Sequence, residues 1–222
     1  VMTTQSWFTI DNIDTIDSPA LALYADRIEQ NIQTLVNSID DVNRLRPHIK
    51  THKSGEVSKI MLAAGIKKFK CATIAEAEML GINKAKDVLL AYQPQGPKLK
   101  RFIELIKKYP ETRFSCLTDN LFSAAEQSGA FNEAALKVPV YIDLNVGMNR
   151  TGIAPGDEAL ESYTYCSSAK GITIQGLHAY DGHIRNIDFS EKKKVCDAAF
   201  AVVEDLAEKI KNAGLPKPII IA

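Results

Sequence analysis

The sequence predicts an α/β fold: a (β/α)8 TIM-type barrel of parallel strands wrapped by helices. Three observations lead there. Short β-like runs alternate with longer helix-like runs along the chain, and parallel strands need crossover helices of that kind. Several strand-like runs, such as 138–145, are continuously apolar, as strands buried on both faces are. The histidines gather at the C-terminal ends of such runs, the face on which a barrel carries its site. An open doubly wound sheet is the competing architecture. The chain has no Gly-x-Gly-x-x-Gly turn to support a dinucleotide site on it.

Residues 21–25 read as a strand. The spacing of Ile28, Ile32 and Leu35 predicts a helix over 26–38. A strand over 44–51, a helix over 53–64 and a strand over 68–73 follow. The Ala- and Glu-rich run 74–80 is expected as a helix closed by Gly81. Next come a strand over 87–92, a Pro/Gly loop over 93–97 and a helix over 99–108. Asp119 is expected to cap the helix that follows the strand 113–118. A strand over 138–145, a helix over 157–168, a strand over 172–180, a helix over 189–213 and a strand over 218–221 complete the reading. Counted from residue 44, seven runs are barrel strands, the seventh cut at Ala222. A closed barrel needs an eighth, so the chain is expected to be incomplete as a catalytic unit.

Composition narrows the function classes. Of 222 residues, 45% are apolar and 24% charged, enough for one large domain with a real core. Lys and Arg total 27, as do Asp and Glu, so bulk charge gives no support for a nucleic-acid or membrane partner, and neither is expected. No apolar stretch is long enough to cross a bilayer, and the first ten residues lack the pattern of a signal peptide. A cytoplasmic location is expected. Cys71, Cys116, Cys166 and Cys196 form no Cys-x-x-Cys pair, so neither a disulfide framework nor a structural zinc site is expected. Cys71 and Cys116 read as small buried hydrophobes.

The chemistry concentrates in three places. His48 and His52 flank Lys50 in Arg46-Pro-His-Ile-Lys-Thr-His-Lys53, and His178 and His183 flank Tyr180 in Gly176-Leu-His-Ala-Tyr-Asp-Gly-His183. Strand parity puts Arg46, His48 and Lys50 on one face and Leu45 and Ile49 on the other. The apolar pair should pack on helices, which turns Lys50 inward. There, desolvation and nearby cations would favour its neutral amine, the form that condenses with an aldehyde. Lys53 reads instead as a rim lysine. In Asp143-Leu-Asn-Val-Gly-Met-Asn-Arg-Thr-Gly152, Asp143 and Asn145 share the inward face. Arg150 follows in a loop where a guanidinium could hold a phenolate or carboxylate.

Together these motifs resemble the fold-type III pyridoxal-phosphate (PLP) enzymes, the alanine-racemase-like barrel group. The D-threonine aldolase and D-serine dehydratase family is the most similar part of that group. "RPHIKTHK" is similar to its lysine motif, "FKCATIAEAEML" to its second strand and helix, "DLNVGMNRTG" to its Arg-bearing stretch, and "GLHAYDGHIR" to its tyrosine strand. The resemblance implies Lys50 as the lysine that carries pyridoxal 5′-phosphate. It places Arg150 near the ring oxygen and Tyr180 near the pyridine nitrogen, with His52, Asn145 and Thr73 as further cofactor contacts. His183 is the candidate base. The implied activity is a lyase reaction on D-β-hydroxy amino acids, retro-aldol cleavage to glycine and an aldehyde. A dehydratase or racemase of the same fold is the alternative, and a non-catalytic PLP carrier is the alternative of another class. No metal ligand is assigned within the chain. A divalent metal, the Gly/Ser/Thr-rich phosphate site and a β-domain are expected beyond Ala222. Residues 1–25 would belong partly to that domain and 26–222 to the barrel, and the resemblance implies a homodimer.

Overall fold

The computed structural model describes residues 6–222. Its sheet has six strands in chain order: β1 (Lys68–Cys71), β2 (Asp87–Leu90), β3 (Arg113–Thr118), β4 (Val138–Leu144), β5 (Ile172–Ala179) and β6 (Ile219–Ile221). All neighbours are parallel. Helices α1 (Ala25–Asn37) and α2 (Gly55–Ala63) precede β1. The five crossovers are α3 (Ile74–Ile82), α4 (Pro97–Lys108), α5 (Leu121–Glu133), α6 (Asp157–Ser168) and α7 (Phe189–Asn212). Sequential order with one helix per crossover is the barrel pattern. The sheet curls as part of an α/β barrel.

The two faces of the sheet differ in chemistry. Phe69, Cys71, Val88, Leu90, Cys116 and Ile142 are fully buried in the main core that the helices share. On the other face Leu89, Leu117, Tyr141 and Ile221 make a second, smaller apolar layer. Lys70, Ser115, Asp143 and His178 are buried on this face too. The register aligns Lys70 with Leu89, Leu89 with Ser115, and Asp143 with His178. Polar groups on this inner face therefore occupy the positions from which a barrel builds its site.

Several boundaries depart from the sequence reading. Residues 21–24 are not a strand; the chain runs irregularly into α1. Of the 1–25 segment, residues 1–5 lie outside the described residues. Within the rest, Trp7 packs edge-on against Tyr24, ring centroids 5.2 Å apart, beneath the Arg27 guanidinium at 4.5 Å. The expected strand over 44–51 is instead two 3-10 turns, Val42–Arg44 and Ile49–Thr51. One parallel bridge, His48 to Lys70, and a bond from the Lys70 N–H to the Pro47 carbonyl (2.9 Å) tie this segment to β1. Pro47 has no N–H to extend a ladder. Six strands therefore form where seven were counted.

Helix starts follow local chemistry. Lys53 has φ +49°, outside the right-handed helix. α2 begins only after Ser54, whose hydroxyl accepts the Val57 N–H at 3.2 Å. Asn120, not Asp119, caps α5 by accepting the Ser123 N–H at 2.8 Å. Gly81 does not end α3 but lies inside it, where a Cβ would meet the Tyr109 ring at 2.9 Å. Among the described residues, no helix is long and apolar enough to cross a membrane.

Candidate functional site

A cavity of about 960 Å³ lies at the C-terminal end of the sheet. Residues just past β1, β2, β4, β5 and β6 line it, as barrel topology directs. Arg46, His48 and Lys50 all reach it, while Ile49 is fully buried on the opposite side. The alternation inferred for this segment therefore holds although the segment is not a strand. His48 explains the geometry. Its Nδ1 accepts the Lys50 backbone N–H at 3.2 Å and so caps the turn that presents Lys50. Because Nδ1 accepts, it carries no proton there. Burial, then the Lys50 charge, hold His48 down to about 4.

Lys50, Tyr180 and Arg150 meet in this cavity. The Lys50 Nζ is 5.9 Å from the Tyr180 ring centroid, and the Arg150 guanidinium carbon is 5.4 Å from it. Both distances are within cation–π range. Lys50 is exposed, so the desolvated environment expected for it belongs instead to Lys70. That lysine is 6% exposed, and burial, then Arg46, push it down to about 8.

The loop carrying Arg150 is held by its own sequence. Asn145 Oδ1 accepts the N–H groups of Gly147 (3.1 Å) and Asn149 (3.0 Å). The Ile153 N–H returns to the Asp143 carbonyl at 2.9 Å. Gly152 (φ +94°) crosses so close that a Cβ would lie 2.6 Å from the Leu144 carbonyl carbon, so only glycine fits. Its N–H donates to Asp119 at 3.2 Å.

Of the other expected site residues, Thr73 lines the cavity and also caps α3, accepting the Glu76 N–H at 3.1 Å. His52, Asn145 and His183 are not among the lining residues. His52 Nδ1 accepts the Ser54 N–H at 3.1 Å, leading into α2, and its buried Nε2 has no partner among the described residues. Asn145 ties its loop together. The His183 ring packs where a Gly147 Cβ would come within 2.5 Å of its Nε2, and its buried Nδ1 is unpartnered among the described residues.

Sequence reasoning assigned no role to two features. Asp143 and His178 form a buried pair, Nδ1 to Oδ1 2.7 Å. Burial lowers His178 below its ordinary value against the opposing pull of Asp143, so a neutral imidazole donates to a carboxylate. The other is Lys70. The alternation of Lys68 and Lys70 with apolar Phe69 and Cys71 was the signal that could have marked it as inward. Overall the lining is positive: Arg46, Lys50, Lys70, Lys98, Arg101 and Arg150 face Asp143 and Asp181. Arg46 is already committed to Asp87 at 2.5 Å. Among the described residues, no group of three or more His, Cys, Asp or Glu is arranged to hold a metal ion.

Known proteins share this architecture. The solved D-threonine aldolase from Filomicrobium marinum superposes with a TM-score of 0.84 at 29% identity, covering 92% of this chain and 55% of that one. The 3-hydroxy-D-aspartate aldolase of Paracoccus denitrificans is 26% identical over 205 residues, 90% of this chain and 52% of its own length. The D-threo-3-hydroxyaspartate dehydratase of a Delftia species is 27% identical over 214 residues, 95% of this chain and 56% of its own. The chain thus spans about half the length of the curated relatives it matches. The family model for the alanine racemase N-terminal domain matches residues 23–222. With a curled parallel α/β sheet and its cavity at the strand ends, this chain belongs to the alanine racemase N-terminal domain family.

Proposed function

We propose that this chain is the cofactor-carrying barrel part of a pyridoxal-phosphate-dependent lyase that cleaves D-β-hydroxy amino acids of the D-threonine type to glycine and an aldehyde. The observation that carries the reading is the convergence of Lys50 and Arg150 on the Tyr180 ring within one cavity. The donor set fits the cofactor: a primary amine for its aldehyde, an aromatic wall for its ring, and a surplus of cations for its phosphate and phenolate. When bound, pyridoxal phosphate supplies the electron sink that stabilises charge at the substrate Cα.

The chain's own groups do the rest. His48 fixes the turn that aims Lys50. Arg150, on its glycine-pinned loop, offers a bidentate partner for an anionic oxygen. The positive lining draws in an amino-acid carboxylate. Retro-aldol cleavage needs an acceptor for the β-hydroxyl proton. His48 and His178 are the histidines that line the cavity, and burial favours the neutral form of both. His48 spends its accepting Nδ1 on the Lys50 N–H, so His178, whose Nδ1 donates to Asp143, is the one with an accepting Nε2. His183, expected in that role, packs on Gly147 outside the lining; in this reading it supports the Arg150 loop. Residues 26–222 form the barrel part, and 1–25 go partly with a second domain that completes the site in a homodimer.

The 27% identity to a dehydratase favours a second reading, in which Lys50 removes the α-proton and the β-hydroxyl leaves. Product analysis on D-threonine separates the two. Glycine with acetaldehyde supports the aldolase, whereas 2-oxobutanoate with ammonia supports the dehydratase. Neither product from any D-β-hydroxy amino acid, with a visible Schiff-base absorbance that Lys50→Ala abolishes, leaves a carrier. Absence of that absorbance in the wild-type protein refutes the cofactor reading.

A further inference from the structure

Lys70 is a charged side chain 6% exposed on the inner face of β1, and it lines the same cavity as Lys50. An ammonium has three N–H donors. One goes to the Ala222 carbonyl at 2.8 Å. Among the described residues, no Asp or Glu carboxylate lies within ion-pair distance of it. Its charged surroundings are Arg46 and Lys50 from the 45–51 segment, which oppose its charge, and Asp143 of β4 and Asp181 beyond β5, which favour it. His48 and His178 also sense it. A buried cation with donors to spare, facing a cavity rich in positive charge, is a group waiting for an anion.

We propose that Lys70 is a second cofactor-binding cation, donating from the cavity wall to an anionic oxygen of bound pyridoxal phosphate. This rests on the cofactor reading above. It gives Lys70 a role distinct from that of Lys50: it binds charge and forms no bond to carbon. Burial, then the Arg46 charge, push Lys70 down to about 8, since one carbonyl only partly compensates a buried charge. An anion beside it retains the ammonium proton. Affinity for the anion therefore falls as pH rises above that value.

The test uses pyridoxine 5′-phosphate, which has an alcohol in place of the aldehyde and so cannot condense with Lys50. Its binding to the full-length apo-protein is followed by fluorescence from pH 7 to 9.5. Wild-type affinity should fall about tenfold across that range. Lys70→Met should bind about tenfold more weakly at pH 7 and show a flat profile. Lys70→Arg, which stays charged throughout, should keep wild-type affinity at pH 7 and hold it at pH 9.5. Pyridoxine without the phosphate tells which oxygen is held: if the Lys70→Met loss persists it is the ring oxygen, and if it vanishes it is the phosphate. Lys70→Met with wild-type affinity and pH profile overturns the proposal while leaving the cofactor reading intact. A wild-type protein that binds neither compound and shows no Schiff-base absorbance overturns both.

Discussion

Replacing His178 with leucine should destabilise the protein by about 3 kcal/mol, through the carboxylate it leaves behind. His178 and Asp143 side chains are 8% and 5% exposed and joined at 2.7 Å. Among the described residues, the only other hydrogen bond to the Asp143 carboxylate is a long one from Gln93 at 3.5 Å. A hydrogen bond to a charged acceptor is worth about 1.5–3 kcal/mol, and breaking a buried pair by removing one partner costs about 3–5. Leucine returns about 1 kcal/mol in apolar burial, which leaves a net loss of about 3. At this chain length that lowers the melting temperature by about 6–12 °C. Urea unfolding is the assay: the midpoint should drop while the slope m stays unchanged. The double variant Asp143→Leu with His178→Leu removes the stranded charge and should be more stable than His178→Leu alone. A loss under about 1 kcal/mol, or a double variant whose losses simply add, would refute the reasoning.

Other expectations follow from the same geometry. Gly152→Ala places a Cβ 2.6 Å from backbone at φ +94°. It should cost about 2 kcal/mol or more and weaken cofactor binding by shifting Arg150; equilibrium unfolding and a cofactor titration check both. Gly81→Ala sets a helix-propensity gain of about 1 kcal/mol against a 2.9 Å approach to the half-buried Tyr109 ring, itself tied to Glu78. A net loss of stability is expected, and a gain would show that Tyr109 moves freely. His48 has an ordinary value of 6.5 and is held to about 4 when folded. Between these values the unfolded chain binds more protons, so stability falls as pH drops through that window. His48→Asn retains a cap acceptor without the titration. Its urea midpoint should decline less steeply from pH 6.5 to 4, and a slope equal to wild type argues against this role.

The inward face of the lysine motif was legible in the sequence because parity is a local property, while Arg150 and Tyr180 were assigned through the family resemblance. Residues two apart share a face wherever the backbone is extended, and this held for Arg46, His48 and Lys50 even without a ladder. The glycines of 143–152 likewise marked the loop that carries Arg150, whereas Asn145, read as an inward strand residue, ties that loop together. The false strand over 44–51 arose because β-like composition does not reveal whether a neighbour can pair. Pro47 and the His48-capped turn limit that pairing to one bridge. His183 was misplaced relative to the cavity for a related reason: nearness to Tyr180 in sequence does not fix which side of a turn a ring packs on, and the glycine at 147 left room for it.

By itself the sequence determined the alternation of strands and helices, the inward face of Arg46, His48 and Lys50, and the residues that resemble a cofactor site. These depend on local periodicity and on residue chemistry. Tertiary structure alone decided which of those residues share one cavity, which charges are left without partners, and that Lys70 rather than Lys50 is the desolvated amine. Burial and pairing are sums over neighbours distant in the chain, such as Lys70 with Ala222 or Asp143 with His178, and no window of sequence contains them.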